Sequence, residues 1–155
     1  MSFGKEFFPV KTTLLAALML GGCIATTFPY MRGETAQRIA APAWMIKRDI
    51  PAGQYTLRAY ERIHDRGGFA HVYLAGDGDV YTSFDEWRDN PTPKNPVALH
   101  MASKDKADNV IYIAQPCQYV EQDNCDPSVW NEKRYSQENV DAIGAALDEI
   151  ARRYD

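Results

Sequence analysis

Nucleophilic and basic side chains are the first candidates for chemistry in this chain. None of its serines lies in Gly-x-Ser-x-Gly, the sharp turn that exposes a nucleophilic serine after a strand. The serines are Ser2, Ser83, Ser103, Ser128 and Ser136. His71 lies in an apolar run, His100 on a short predicted helix, and His64 beside a turn. We interpret His71 as a hydrogen-bonded core residue and the other two as residues without a catalytic role, so no nucleophile is paired with a base.

Gly-Asp-Gly-Asp at residues 76–79 is a second candidate, because carboxylates in a glycine-rich turn can bind a cation. The calcium loop of the EF-hand is not completed, since no glycine and distal glutamate follow at the required offsets. We therefore interpret Asp77 and Asp79 as residues of a solvated turn and predict neither a metal nor another cofactor. Gly76 and Gly78 permit a close backbone approach or a positive φ.

The N-terminal residues predict export. Lys5 and Lys11 come before the apolar run at residues 14–20, which is too short to span a bilayer and typical of a secretory signal. Leu20-Gly21-Gly22-Cys23 follows and resembles the lipobox of bacterial lipoprotein signals. The resemblance implies cleavage before Cys23 and a lipid on its thiol, which anchors the chain to a membrane. The alternative is an ordinary cleaved signal in which Cys23 has no role.

The net charge and the predicted location of the chain restrict the kinds of partner that it can bind. Cleavage leaves 133 of the 155 residues and changes the net charge from -4 to -5, because residues 1–22 carry Lys5, Lys11 and Glu6. Such an acidic domain is a poor candidate for binding nucleic acid, so we predict no nucleic-acid partner. Ile24 is not the aspartate that marks inner-membrane retention in many Gram-negative bacteria. We expect a lipoprotein of the cell envelope that faces the periplasm, with the outer membrane favoured.

Cys117 and Cys125 are separated by seven residues. In an exported protein a pair this close can form a disulfide, which contributes about 2 to 3 kcal/mol in the chain-entropy model. The alternatives are two free thiols or a metal site. No histidine follows at ligand spacing, which argues against the metal.

The secondary-structure signals indicate an α/β domain behind a tether. Residues 24–50 have little periodicity and are interpreted as that tether. Residues 54–63 alternate as a strand does, whereas residues 69–75 and 109–114 are near-continuous apolar runs, typical of parallel strands buried on both faces. Between these two runs, Asn95 and Pro96 could begin a short helix with a buried stripe. The stripe is Val97, Ala98, Met101 and Ala102. A right-handed βαβ unit is the expected connection.

The C-terminal residues predict the clearest helix. Ser136 is a candidate N-cap, and Glu138 lies in the first turn, where the helix dipole favours a negative charge. Apolar residues at helical spacing predict the buried face. They are Val140, Ile143, Leu147, Ile150 and Ala151.

Several segments resemble an α/β-hydrolase-like family of bacterial lipoproteins over roughly residues 54–155. The segments are Val72-Tyr73-Leu74-Ala75-Gly76-Asp77-Gly78, residues 91–99, residues 112–120 with Pro-Cys-Gln-Tyr and the later Cys125, Trp130, and Arg134-Tyr135-Ser136. The resemblance implies a partial α/β-hydrolase sheet: residues 69–75 form the strand before the oxyanion loop, and Gly76, Asp77 and Gly78 begin that loop. It also implies that the chain ends before the nucleophile-elbow strand, and that nucleophile, triad acid and histidine are missing.

Three hypotheses follow. In the first hypothesis, the chain consists of a signal peptide (1–22), a lipidated cysteine with its tether (23–50) and the N-terminal part of a hydrolase-like domain (51–155). This part is expected to be inactive by itself, with its missing half encoded downstream. Alternatively, it is a complete, non-enzymatic envelope lipoprotein that uses a half-hydrolase scaffold for binding. The third hypothesis is an enzyme with an unrecognised site. The resembling strand order places residues 69–75 between the strand at 109–114 and the missing strand, which would leave an open sheet edge.

Overall fold

The computed structural model describes residues 29–83 and 86–155. The predicted signal peptide and Cys23 lie outside these ranges. The first half contains α1 (Pro29–Ala40), a 3-10 turn (Ala41–Ala43), β1 (Ile46–Ala52), β2 (Tyr55–Ile63), β3 (His71–Leu74), β4 (Tyr81–Ser83) and β5 (Glu86–Trp87). The second half contains α2 (Val97–Lys104), β6 (Asn109–Ile113), α3 (Pro127–Trp130) and α4 (Gln137–Tyr154). Within the described ranges, no helix has the length and apolar character needed to cross a bilayer.

A four-stranded mixed sheet organises the chain, in the order β1-β2-β6-β3. β1 pairs antiparallel with β2, and β2 pairs antiparallel with β6. β6 pairs parallel with β3, with Tyr73 opposite Tyr112, and α2 connects these two strands. The predicted mixed α/β fold, with a helix between two parallel strands, is therefore confirmed.

Helices cover both faces of the sheet. On one face α4 packs through Ala142, Ala146 and Ile150 against apolar side chains of β1, β2 and β6. On the other face α1 and α2 cover Tyr60, Val110 and Tyr112. All five residues of β6 are buried, as expected for a strand that has neighbours on both sides and helices on both faces.

β3 differs from the prediction. Its predicted burial on both faces is wrong, because His71, Val72 and Leu74 are exposed. Among the described residues β3 pairs with β6 alone, so it forms an edge of the sheet, and its apolar residues lack the cover that a further strand would give. The open edge that the resembling strand order implies is present at this position.

Residues 29–50 also differ from the predicted tether. They form α1 and most of β1, and Ala36 and Ala40 of α1 are fully buried. The buried positions of α1 are mainly alanines, with the buried cation Arg32 one turn earlier, so hydrophobic periodicity is weak in this segment. Small residues let a helix approach a neighbouring layer closely without producing an apolar stripe in the sequence.

The buried faces of two helices are rotated from their predicted positions. In α2, Leu99 and Ala102 are buried, whereas Val97 and Met101 are exposed, and Pro96 rather than Asn95 is the N-cap residue. In α4 the predicted cap is confirmed, since the Ser136 hydroxyl accepts from the Asn139 N–H at 3.3 Å. The buried face of α4 is centred on small residues and Asn139. Its fully buried positions are Asn139, Ala142, Ala146 and Ile150.

His71 is hydrogen-bonded, as predicted, but it is exposed rather than in the core. Its Nδ1 lies 2.7 Å from Asp105 Oδ2, and the Tyr73 hydroxyl donates to the same oxygen at 2.8 Å. The Ala107 N–H donates to the other carboxylate oxygen at 2.8 Å. The Ala107 N–H, His71 and Tyr73 together hold the pKa of Asp105 well below its ordinary value. Asp105 thus ties β3 to the end of α2.

We predict that Asp105→Asn lowers stability at neutral pH and that this deficit shrinks in acid. A depressed carboxylate pKa contributes its full stability above the unfolded pKa of about 4, and the contribution decreases as the pH falls from that value toward the lower folded pKa. Urea denaturation of the wild type and the variant from pH 7 to pH 3 measures the difference. Asp108→Asn, which removes an exposed carboxylate nearby, is the control for the loss of one negative charge. A deficit of Asp105→Asn that persists unchanged at pH 3 would contradict the assignment.

Candidate functional site at the carboxyl ends of β3 and β6

Two connections meet where the parallel strands end. The loop at residues 76–79 follows β3, and the turn at residues 115–119 follows β6. Gln115 Nε2 donates to the Ala75 carbonyl at 2.8 Å, and Gln118 Nε2 donates to the Gly76 carbonyl at 2.9 Å. Ligands of open α/β sheets bind outside the carboxyl ends of the strands. The two glutamines therefore hold the loop backbone at the edge of the sheet where a ligand is expected.

The turn after β6 has an unusual backbone. Cys117 and Tyr119 have φ values of 67° and 66°, in the left-handed region that side chains other than glycine rarely adopt. The Tyr119 N–H donates to the Thr92 hydroxyl at 2.7 Å, and Cys117 is bonded to Cys125 with a Cα–Cα distance of 5.6 Å. Such conformations persist where the surrounding contacts enforce them, and they cluster at functional sites.

The two glycines of the loop have different roles. Gly78 has φ +87°, and a Cβ there would overlap the Pro91 carbonyl and lie 2.8 Å from Gln118 Nε2, so packing requires glycine. A Cβ at Gly76 would meet nothing within 4 Å. Among the described residues, no acceptor is found for the N–H groups of Gly76 and Asp77. The first half of the loop therefore presents backbone donors beside open space.

Ion pairs fix the two aspartates of the loop. Asp77 Oδ2 lies 2.6 Å from Arg134 Nη1, which is in the connection before α4. Asp79 is surrounded by three cations, at 2.9 Å from Arg32, 3.0 Å from Arg88 and 3.2 Å from Lys94. The prediction that both aspartates lie in a solvated turn is thus wrong for Asp79, which is half-buried. A carboxylate with three basic partners is poorly suited to bind a metal cation.

Cavities lie on both sides of the loop. One of about 110 Å³ is lined by Asp77, Gln118, Arg134 and Asn139. Asn139 is buried, its Nδ2 donates to two backbone carbonyls, and its Oδ1 has no partner among the described residues. The other cavity, of about 200 Å³, is lined by Gly76, Gly78 and Tyr112. Both are small, and no group of metal-ligating side chains is found within the described ranges.

We predict that replacing Cys117 and Cys125 together by serine lowers the free energy of unfolding by about 2 to 3 kcal/mol, the stabilisation expected for so short a closed loop. Urea denaturation of the double variant, without reductant, measures the loss. The wild type with reductant should show the same loss, whereas Cys23→Ser should show none. A loss below about 0.5 kcal/mol would mean that the disulfide does not restrain the turn.

Sequence reasoning identified the loop but not the side chains that hold it. It assigned no role to Gln115, Gln118, Thr92 or Arg134, although all four lie within the resembling segments. Two glutamines that flank Pro-Cys directly after a buried strand were the available signal. Of the histidines, His71 lies at the start of β3, and His64 and His100 lie outside the loop and the turn. None of the three forms part of the loop or the turn.

Comparison of the chain with protein-family models, with curated proteins and with solved structures found no match in any of the three. The site must therefore be interpreted from its own geometry.

Proposed function

We propose that the chain is a membrane-anchored lipoprotein that carries the N-terminal half of a serine-hydrolase-like scaffold and is inactive by itself in acyl transfer. One observation carries the proposal: the order β1-β2-β6-β3, with β3 parallel to β6 at an open edge and a glycine loop directly after it. This agrees with the strand order that the resemblance implies. In the proposal, Gly76, Asp77 and Gly78 form the oxyanion loop.

The chemistry available at the loop is the stabilisation of negative charge. Backbone N–H groups that point at a developing oxyanion lower the barrier to acyl transfer, and the loss of one such donor typically costs a factor of about 100 to 1,000 in rate. The N–H groups of Gly76 and Asp77 are without partners among the described residues, and two glutamines fix the carbonyls beside them. In the proposal, the nucleophile, its base and the acid are supplied by a second polypeptide segment.

The loop assignment is tested by NMR with butyrate, the carboxylate product of a short-chain ester. We expect saturable shifts of the Gly76 and Asp77 amide resonances as butyrate is added. Gly53, an exposed glycine in the β1–β2 turn, is the internal control and should not respond. Shifts of equal size at Gly53, or no shift at Gly76, would contradict an oxyanion role.

The anchor is tested separately, by mass spectrometry of the chain expressed in a Gram-negative host with its N-terminal residues intact. We expect cleavage before Cys23 and a mass increase from acyl chains on that residue. Cys23→Ser should abolish both the increase and the recovery of the protein in the membrane fraction. An unlipidated wild-type chain would remove the lipoprotein part of the proposal and leave the loop unaffected.

A second candidate function, ligand binding without catalysis, is favoured by a polar cavity next to a group of buried tyrosine hydroxyls. The hydroxyls of Tyr60, Tyr112 and Tyr119 are buried; Arg58 lies beside the first, and the other two face each other, without a well-aligned hydrogen bond among the described residues. Burial raises the pKa of all three, so they remain neutral. Tyr119 lines a cavity of about 470 Å³ beside α1, whose charged lining residues balance: Glu34, Lys47, Arg58 and Glu121.

Because the charges of its lining balance and most of its lining side chains are polar, this cavity suits a neutral ligand rich in hydroxyl groups. Saturation-transfer NMR with glucose and N-acetylglucosamine tests the idea. Binding that Tyr119→Phe weakens would favour this second candidate. Equal signals for the wild type and the variant would exclude the cavity as the binding site.

A further inference from the structure

The outer edge of β3 is unpaired. The Ala75 N–H donates to the Ile113 carbonyl at 2.8 Å, so the backbone groups of Ala75 point toward β6. Because successive residues of a strand point their backbone groups to opposite sides, the N–H and C=O groups of Val72 and Leu74 point away from β6. No other strand within the described ranges pairs with them. Two donors and two acceptors in alternate positions are thus open to an added strand.

The side chains on this edge are apolar. Val72 is 42% exposed and Leu74 is 46% exposed, and Phe69, just before β3, is fully exposed. Proteins normally protect such an edge with lysine, proline or a bulge. Residues 69–75 contain neither lysine nor proline, and their only polar groups are the His71 ring and the Tyr73 hydroxyl. Exposed apolar groups beside unpaired backbone indicate a surface that binds another polypeptide.

A groove of about 330 Å³ continues the edge, between the start of β3 and the last turns of α4. Its floor is apolar and includes Ile111, Leu147 and Ile150. Three carboxylates line it and no lysine or arginine does; the three are Asp65, Asp148 and Asp155. The apolar floor would take an apolar side chain, and the carboxylates favour a segment that carries positive charge at this end.

We propose that the outer edge of β3 and this groove bind an extended segment of a partner protein, which adds to the sheet as a strand parallel to β3. Its alternate apolar side chains cover Val72 and the groove floor, and a basic residue at its N-terminal end faces Asp65, Asp148 and Asp155. The role of the bound segment rests on the proposed function, because a segment that brings a nucleophile to the loop at residues 76–78 must run along this edge.

The parallel orientation follows from the neighbouring pair. β3 and β6 are parallel, and the apolar residues of 69–75 occupy both alternations, which is typical of parallel strands with cover on both faces. A parallel strand begins beside the start of β3, and the groove that the three carboxylates line lies next to this part of β3. The basic residue is therefore expected before the apolar positions of the segment, not after them.

The probe is a labelled synthetic peptide with two lysines followed by alternating valine and threonine, added to the full-length chain and followed by fluorescence anisotropy. We expect saturable binding that weakens at least tenfold with Val72→Lys or Leu74→Lys. Met101→Lys, at an exposed apolar position on α2, is the matched control and should bind like the wild type. A peptide N-methylated at alternate residues should not bind, because its backbone cannot donate to the edge.

The direction of the bound peptide and its binding at the β3 edge are measured separately. A peptide with its lysines moved to the C-terminal end should bind about tenfold more weakly, a difference of about 1.4 kcal/mol; equal or tighter binding would overturn the parallel arrangement. Unchanged affinity of the N-methylated peptide, or of Val72→Lys, would overturn the edge as the site.

Self-association of the chain that Val72→Lys abolishes would assign the edge to a second copy instead. Peptide binding without a butyrate response at Gly76 would reject the proposed function and retain this inference. A butyrate response without peptide binding would reject this inference and retain the proposed function.

Discussion

Gly78→Ala is expected to lower the free energy of unfolding by about 3 to 4 kcal/mol, the combined cost of backbone strain and of a buried hydrogen bond lost beside it. Gly78 has φ +87°, and a methyl group there would overlap the Pro91 carbonyl oxygen. That carbonyl accepts from the Asp79 N–H at 3.0 Å. Neither backbone can move without displacing the ion pairs of Asp79, so the clash cannot be relieved by a side-chain rotation.

Gly76→Ala is the matched control, two residues earlier in the same loop. A Cβ at Gly76 would meet nothing within 4 Å, and we expect a change within about 0.5 kcal/mol. Urea denaturation at neutral pH measures both variants. Equal losses for the two would show that the loop does not have the described conformation. A stable Gly76→Ala that loses the butyrate response would separate the role of Gly76 in binding from the role of Gly78 in folding.

Arg153→Met is expected to lower the free energy of unfolding by about 3 kcal/mol, because it leaves a buried carboxylate without its principal cation. Glu61, near the end of β2, has a fully buried side chain. Arg153 Nη1 donates to its carboxylate at 3.0 Å, and the Tyr154 hydroxyl donates at 2.7 Å. Arg48 remains at 3.2 Å after the substitution, which places the effect at the low end for a broken buried pair.

Arg152→Met provides the comparison, since Arg152 is the neighbouring arginine but its side chain is 74% exposed and pairs with Glu149 on the helix surface. Exposed pairs contribute little, so a loss within about 0.5 kcal/mol is expected. The two variants remove the same charge and side-chain type from adjacent positions. If they are equally destabilising, the Glu61 network does not hold the end of α4 to the sheet.

The elements that could be predicted from the sequence are those with a strong local signal. β2 alternates in polarity, β6 is a short apolar run between polar residues, and Ser136 begins α4 with its hydroxyl in the cap position. Each of these depends on side chains that contact near neighbours in sequence or that follow the period of the element. Their boundaries agree with the prediction within about two residues.

The buried face of α4, the presence of α1 and the exposure of β3 depend on packing between elements, so the sequence pattern did not predict them. α4 lies on the sheet through Ala142 and Ala146, because small side chains allow close approach, and this rotates Val140 out of the core despite its apolar character. α1 was not predicted for a similar reason, since its contacts are made by Ala36 and Ala40. β3 has the composition of a buried strand but is exposed, because burial also depends on a neighbour that composition does not specify.

The location of the candidate site at the end of β3 was predicted from the sequence, but the side-chain contacts that hold its loop were not. Glycines after an apolar strand indicate a loop at the end of that strand, and the disulfide was one of the alternatives predicted from the spacing of Cys117 and Cys125. The hydrogen bond from Gln118 to Gly76 spans 42 residues, and the ion pair from Arg134 to Asp77 spans 57. Contacts of such separation follow from the strand order, so they become visible only when β3 and β6 lie side by side.

The proposal that this hydrolase-like chain lacks a nucleophile is tested by treating the purified full-length chain with a fluorophosphonate serine probe and with a short-chain p-nitrophenyl ester. We expect no labelling and no turnover above the uncatalysed rate, because none of the five serines lies in a nucleophile elbow. Labelling of one serine, with turnover that its replacement by alanine abolishes, would refute the proposal and identify a complete active site in this chain.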